Sequence, residues 1–128
     1  MRMINPRFTS VLAGAVLALP LWVQAAEPAT EKGGMLVDAK GMVLYTYDKD
    51  ADGVSNCSGQ CAQNWPPLMA EAGAKASGEW SLVKRDDGTQ QWAYDGKPLY
   101  TFINDKKAGD MTGDGKMGVW HVAKPEAY

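Results

Sequence analysis

One six-residue stretch occurs twice and decides the fold: Tyr45-Thr46-Tyr47-Asp48-Lys49-Asp50 returns as Tyr100-Thr101-Phe102-Ile103-Asn104-Asp105. The copies lie 55 positions apart, and the same offset aligns Gly41 with Gly96, Leu44 with Leu99 and Trp65 with Trp120. Trp and Tyr are rare residues, so an alignment of both without a gap indicates duplication. Because an open stack needs about three repeats, the sequence predicts two copies of one unit related by a pseudo-two-fold axis.

Each copy begins with a pattern that is typical of a β-hairpin. In the second copy, residues 90–94 and 97–103 flank Asp95-Gly96, a pair that favours a two-residue turn because both turn positions need positive φ. In the first copy, residues 35–38 and 42–47 flank a turn that ends in Gly41. Both copies are therefore predicted to be antiparallel.

The remaining segments complete a mainly β fold. A further hairpin is expected between residues 80–84 and 90–94, and a final strand at residues 119–122. No long window after residue 25 keeps a helical period, so the helix content is expected to be one short turn at residues 58–64. The prediction is a small antiparallel sheet domain built from two pseudo-symmetric repeats of about 55 residues.

The first 25 residues are typical of a signal peptide. Arg2 and Arg7 precede the apolar residues 8–23, and small residues at Val23 and Ala25 match the positions that signal peptidase reads. The apolar run is shorter than the about 20 residues that cross a bilayer as a helix. We therefore expect a periplasmic or secreted chain with no stable membrane anchor after cleavage.

The mature chain is expected to be a single domain. Its predicted parts are a flexible leader at residues 26–34 and one two-repeat β domain at residues 35–128. Within that domain, repeat one is residues 35–69, the linker is residues 70–78 and repeat two is residues 79–125.

Composition excludes several classes of function. The chain has 13 Lys and Arg against 15 Asp and Glu, with a pI near 5.3, so a nucleic-acid partner is not expected. A single histidine rules out a site with several histidine ligands. The sequence has no phosphate-binding loop, nucleophile elbow or zinc-protease motif, and no patterned nucleophile with a base. We therefore predict a protein that is not an enzyme.

The duplicated aromatic residues have two interpretations. In a strand, Tyr45 and Tyr47 project to one face, as do Tyr100 and Phe102, and Trp65 and Trp120 follow at equivalent places. Aromatic side chains dominate small β cores, so the simpler interpretation is a buried core. The alternative is an exposed platform for a ring-bearing ligand. Asp50 and Asp105 are expected to accept hydrogen bonds from loop backbone N–H groups.

The cysteine pair is also open to more than one interpretation. In an exported chain, Cys57 and Cys61 are expected to form a disulfide. Two thiolates with the imidazole of His121 are also a soft ligand set that selects copper, with a thioether from one of three methionines: Met69, Met111 or Met117. A thiol-redox pair is the remaining alternative.

Two Asp- and Gly-rich loops resemble calcium loops, but weakly. Residues 48–53 match the first half of such a loop, yet its twelfth position holds Gly59 where a bidentate Glu is required. The loop at residues 110–115 has a similar look, and such runs usually form turns. No cofactor is therefore expected, with copper or calcium as the open alternatives.

The whole pattern resembles a bacterial family of secreted repeat proteins and lipoproteins, named for its Y-x-(F/W/Y)-x-x-D motif. The resemblance covers residues 33–125 and includes the residues from Cys57 to Leu68 and the Gly118-Val119-Trp120-His121-Val122 run. The sequence lacks the lipid-attachment cysteine that many members of the family have. The resemblance implies an exported protein of unassigned role. We therefore expect a binding or accessory module whose partner is a small ligand or a periplasmic protein.

Overall fold

Short antiparallel strands make up most of the regular structure, which a computed structural model describes for residues 27–125. In chain order the elements are β1 (Thr30–Lys32), β2 (Met35–Val37), β3 (Tyr45–Tyr47), α1 (Gln60–Asn64), β4 (Met69–Ala70), β5 (Trp80–Lys84), β6 (Gln90–Tyr94), β7 (Lys97–Pro98), a 3₁₀ turn (Lys116–Gly118) and β8 (Trp120–Val122). This confirms the mainly β class and, within residues 27–125, the one short helical segment expected near residues 58–64.

The predicted hairpins form around the expected turns. β5 pairs with β6 over five residues, from Trp80 opposite Tyr94 to Lys84 opposite Gln90. β6 then pairs with β7 through a turn in which Asp95 has φ 53° and Gly96 has φ 80°. Both turn residues therefore adopt the left-handed conformation that this sequence pair predicts.

The two repeats interlock through their final segments. Residues 64–70 close repeat one and residues 119–123 close repeat two, and we call these the returning segments. The first pairs with repeat two, since β4 lies beside β6, and the second pairs with repeat one, since β8 lies beside β3. Each repeat thus completes its sheet with a strand from the other.

Equivalent backbone hydrogen bonds show the pseudo-two-fold relation directly. At its centre, the Tyr45 N–H donates to the Tyr100 carbonyl at 2.8 Å and the Tyr100 N–H donates to the Tyr45 carbonyl at 3.0 Å. Away from the centre, the bond from Asp48 N–H to the Val119 carbonyl (2.8 Å) has its counterpart 55 positions on. That counterpart runs from Ile103 N–H to the Asn64 carbonyl at 3.0 Å.

A stack of four aromatic rings crosses this centre. Trp65 and Trp120 lie parallel in the middle, with ring centroids 3.8 Å apart and planes 4° apart. Tyr47 covers Trp120 at 4.2 Å, and Phe102 covers Trp65 at 4.1 Å. Each outer ring belongs to one repeat and stacks on the tryptophan of the other, so the core can form only when both repeats are present.

Two sequence expectations about the chain's organisation differ from the structure. The proposed leader at residues 26–34 contains β1, which pairs with β2. Ala29 beside it is only 3% exposed, because it packs against Leu36 and Leu44 in a second apolar cluster. Ala70, the first residue of the expected linker, lies in β4. The charged and small residues of both segments favour loops, but β1 pairs with β2, Ala29 is buried in the second cluster, and Ala70 pairs with Gln90.

The predicted signal peptide at residues 1–25 lies outside the described residues. Within residues 27–125, no helix is long and apolar enough to cross a membrane.

Candidate functional site

The Tyr and Asp of the duplicated motif bond to each other across the repeats. The Tyr45 hydroxyl donates to Asp105 Oδ2 at 2.6 Å, and the Tyr100 hydroxyl donates to Asp50 Oδ2 at 2.7 Å. Both tyrosines are fully buried. The motif therefore acts between repeats, since each carboxylate holds the tyrosine of the opposite copy.

The second oxygen of each carboxylate binds a loop of its own repeat. Asp105 Oδ1 accepts hydrogen bonds from the Thr112 backbone N–H (2.9 Å) and hydroxyl (2.6 Å), while Asp50 Oδ1 accepts one from the Asn56 N–H (2.6 Å). This is the loop-bonding role that the sequence predicts, with the tyrosine bond added to it. Every acceptor atom in the pair of carboxylates is occupied, so these residues are structural.

Burial dominates the ionisation of this network. It raises the pKa of Tyr45 and of Tyr100 well above their ordinary value, and the adjacent carboxylate in each case adds to the rise. Burial likewise raises the pKa of Asp50, against the opposing effects of its hydrogen bonds from Tyr100 and from the Asn56 N–H. Both phenols are therefore protonated hydrogen-bond donors at neutral pH rather than catalytic bases.

Among the residues that the structure describes, the Tyr100–Asp50 network contains a cation and the Tyr45–Asp105 network does not. Arg85, in the β5–β6 loop, donates to Ser55 Oγ (3.0 Å), to Gln91 Oε1 (2.7 Å) and to the Cys57 carbonyl (2.7 Å). Ser55 Oγ in turn lies 2.6 Å from the Tyr100 hydroxyl. Arg85 thereby ties a strand of repeat two to the cysteine loop of repeat one, a role that no motif in the sequence indicated.

The cysteines form the expected disulfide, which joins Cys57 to Cys61. Cys57 is fully buried in the aromatic cluster, and Cys61 lies in α1. The bond anchors this short helix to the core beside the carbonyl that Arg85 binds.

Removing the disulfide is expected to destabilise the fold moderately. A cross-link that closes such a short loop contributes about 2 kcal/mol by restricting the unfolded chain. We expect dithiothreitol to lower the free energy of unfolding, measured by urea denaturation, by about this amount. The double variant C57A/C61A should show at least this loss, because it also removes the buried Cys57 sulfur, and no response to the reductant. Equal stability with and without reductant in the wild-type chain would contradict the structural role.

The structure does not assemble the copper ligand set considered from the sequence. Both sulfur atoms are bonded to each other, so neither is a thiolate. His121 Nε2 instead lies 2.8 Å from Asp48 Oδ2, with both side chains about half exposed. The three candidate thioether donors, Met69, Met111 and Met117, are exposed.

Three carboxylates of the two Asp- and Gly-rich loops that weakly resemble calcium loops also have other partners. Asp48 pairs with His121, Asp50 binds Tyr100, and Asp114 Oδ1 accepts the Val122 N–H at 3.1 Å. Across residues 27–125, no group of three or more His, Cys, Asp or Glu side chains is placed to hold a metal ion.

A groove opens where β3 and β7 diverge. The register set by Tyr45 opposite Tyr100 would bring Tyr47 opposite Pro98, which has no N–H to continue the ladder. Two cavities of about 340 and 360 Å³ lie along this opening. They share four lining residues, Thr46, Asp48, Asp95 and Lys97, so we treat them as one groove.

The ends of the groove differ in chemistry. At one end, Asp50 and Asp52 also line the groove. The Asp52 carboxylate occupies the space beside Gly96 where a Cβ would otherwise lie. The other end adds His121 and Lys124 above buried apolar residues: Leu36, Leu99, Val122 and Ala123. The first end is therefore predominantly acidic, and the second is mixed.

Comparison with known families agrees with this architecture. A family model described as a secreted repeat of unknown function matches the chain twice, at residues 29–69 and 81–124. The chain belongs to this secreted-repeat family. Each match ends in a returning segment, so the boundaries of the family unit agree with the interlocked repeats. No match to this secreted-repeat protein was found among curated proteins or solved structures.

The internal duplication separates structural residues from specialised ones. The Tyr, Asp and Trp positions of the core occur in both copies, and all of them are hydrogen-bonded or stacked. Four groove residues of the secreted-repeat protein are not duplicated: the residues 55 positions away from Asp48, Asp95, Lys97 and His121 are Ile103, Lys40, Met42 and Pro66. The two copies therefore differ at these four groove positions.

Proposed function

We propose that this secreted-repeat protein is a periplasmic, non-enzymatic binding module, and that it binds its partner in the groove between β3 and β7. The family description supports an exported protein. The groove supports binding, because each of its cavities reaches the size at which small-ligand sites begin, about 300 Å³. The carrying observation is that the charged groove residues Asp48, Asp52, Asp95 and Lys97 have no counterpart of the same kind 55 positions away, while the Tyr, Asp and Trp residues of the shared core are duplicated.

The charge of the groove indicates the kind of partner. The acidic end has four carboxylates, those of Asp48, Asp50, Asp52 and Asp95, against the single ammonium of Lys97. Asp50 is already hydrogen-bonded within the core. Asp48, which pairs with His121, is exposed, as are Asp52 and Asp95. A small ligand or a protein segment that carries positive charge is therefore the favoured partner.

A ligand screen by NMR tests this proposal on the chain beginning at residue 26. Cationic, neutral and anionic fragments are titrated while the backbone amide shifts are followed. We expect cationic fragments to shift the amides of Asp48, Asp52, Asp95 and Lys97, and D95N to weaken that binding about fivefold, or roughly 1 kcal/mol. Asn accepts the positive φ of Asp95, so the turn should be retained.

The matched control is K40Q, which changes the residue 55 positions before Asp95. It should leave the binding of cationic fragments unchanged. Shifts scattered over the whole surface, or equal effects of the two variants, would contradict a site in the groove. The alternative of copper handling or thiol redox through Cys57, Cys61 and His121 gains no support from the bonded cysteines or from the His121–Asp48 contact.

A further inference from the structure

The surface that each repeat presents to the other is formed by residues of the same kinds in the two copies. Backbone pairing at Tyr45 and Tyr100, the four-ring stack and the two Tyr–Asp bonds all join one repeat to the other. These contacts are non-covalent and do not require the two repeats to be in the same chain. A repeat from a second molecule offers the identical surface, so the contacts could be made between molecules without loss.

The only covalent connection between the repeats is the linker at residues 71–79. Its residues are exposed, apart from the half-buried Ala74. Its backbone hydrogen bonds are few: Ala74 N–H to the Glu71 carbonyl, the reciprocal pair between Ser77 and Trp80, and Asp95 N–H to the Glu79 carbonyl. Exchange of repeats between molecules would therefore disturb little besides this segment.

The sheet register sets the shortest linker that allows pairing within one chain. Ala70 and Lys84 both lie opposite Gln90, and Trp80 lies opposite Tyr94, so β4 and β5 run parallel on either side of β6. The linker must return about 13 Å along the strands and cross about 10 Å, a span of about 16 Å. Nine residues cover this distance easily. Two residues reach only about 11 Å.

We propose that the inter-repeat surface is also a docking surface for a second copy of this chain, so that the protein forms repeat-exchanged dimers. In such a dimer, repeat one of each molecule pairs with repeat two of the other, and both lobes reproduce the native core. In the native chain the linker keeps the repeats at a high effective concentration, roughly millimolar, which favours the monomer. Shortening the linker removes that advantage.

The test is deletion of residues 72–78, which leaves Glu71 and Glu79 between β4 and β5. We expect this variant to be a folded dimer by light scattering at micromolar concentration. The matched control replaces residues 72–78 by a Gly/Ser segment of equal length and should remain a monomer. A second measurement identifies the exchange: T46C/H121C places cysteines directly opposite each other across β3 and β8. In the shortened chain these cysteines should link two molecules, and in the control they should link within one.

Two results would overturn the proposal. A folded monomer after the deletion would show that the repeats can still pair within one short-linked chain. An unfolded monomer would show that repeats from different molecules do not dock. As a check without any deletion, the unmodified mature chain refolded at millimolar concentration should contain a dimer fraction that is absent after refolding at micromolar concentration. Absence of that dimer would likewise count against the exchange.

Discussion

W120A is expected to lower the free energy of unfolding by about 3–5 kcal/mol, a large share of the stability of a domain of this size. Trp120 is only 1% exposed and lies between Trp65 and Tyr47 in the ring stack, with Tyr100 edge-on at 5.2 Å. Its removal leaves a cavity that these planar rings cannot fill without losing their own contacts. Urea denaturation monitored by circular dichroism measures the change.

The pseudo-two-fold axis extends this prediction to the equivalent tryptophan of the other repeat. W65A should cost a similar amount, because Trp65 occupies the equivalent position, and the double variant should cost less than the sum. W92A is the control, since Trp92 is half-buried in the second cluster and outside the stack. A loss below about 1.5 kcal/mol for W120A, or strict additivity with W65A, would contradict a shared stack that joins the repeats.

Alkaline pH is expected to destabilise the fold through its two buried tyrosines. Folding raises the pKa of both Tyr45 and Tyr100, so their contribution to stability is complete below pH 10 and is lost as the pH rises from 10 towards the folded-state pKa. In this window the unfolded chain releases the phenolic protons and the folded chain keeps them. At pH 11, each tyrosine should therefore lower the free energy of unfolding by about 1.4 kcal/mol, and the pair should lower it by about twice that.

Urea denaturation at pH 8 and pH 11 measures this effect. Y100F removes one of the two titrating groups and should roughly halve the difference between the two pH values, although it lowers stability at both. Y45F, the equivalent change in the other Tyr–Asp pair, should reduce the difference to a similar extent. If wild-type stability is the same at both pH values, the buried Tyr–Asp bonds are not maintained in solution.

The local elements could be predicted from the sequence because they depend on neighbouring residues. The Asp95-Gly96 turn follows from the positive φ that both positions need, and the pairing of β5 with β6 follows from a short loop between two alternating segments. The disulfide follows from export and from close spacing. These features would be much the same in an isolated fragment or in another fold.

The site was less predictable for a physical reason. The sequence pointed to Cys57, Cys61 and His121 as a possible group, but pairing of β8 with β3 brings His121 to Asp48 instead. Arg85 carries no motif, and its importance comes entirely from the three acceptors that the tertiary structure gathers around it. The groove is lined by residues of both repeats, among them Thr46 and Asp48 of repeat one and Asp95 and Lys97 of repeat two, so it exists only in the tertiary structure.

By itself, the amino-acid sequence determined the duplication, the antiparallel class and the presence of one copy of the motif in each repeat. The sequence could not determine that the repeats interlock. The local preferences of a repeat are the same whether its last strand pairs within that repeat or with the other repeat. Only the tertiary structure decided that Tyr45 binds Asp105 and that Tyr100 binds Asp50. Burial of four aromatic rings in a single stack requires both repeats at once, and that shared burial selects the crossed pairing.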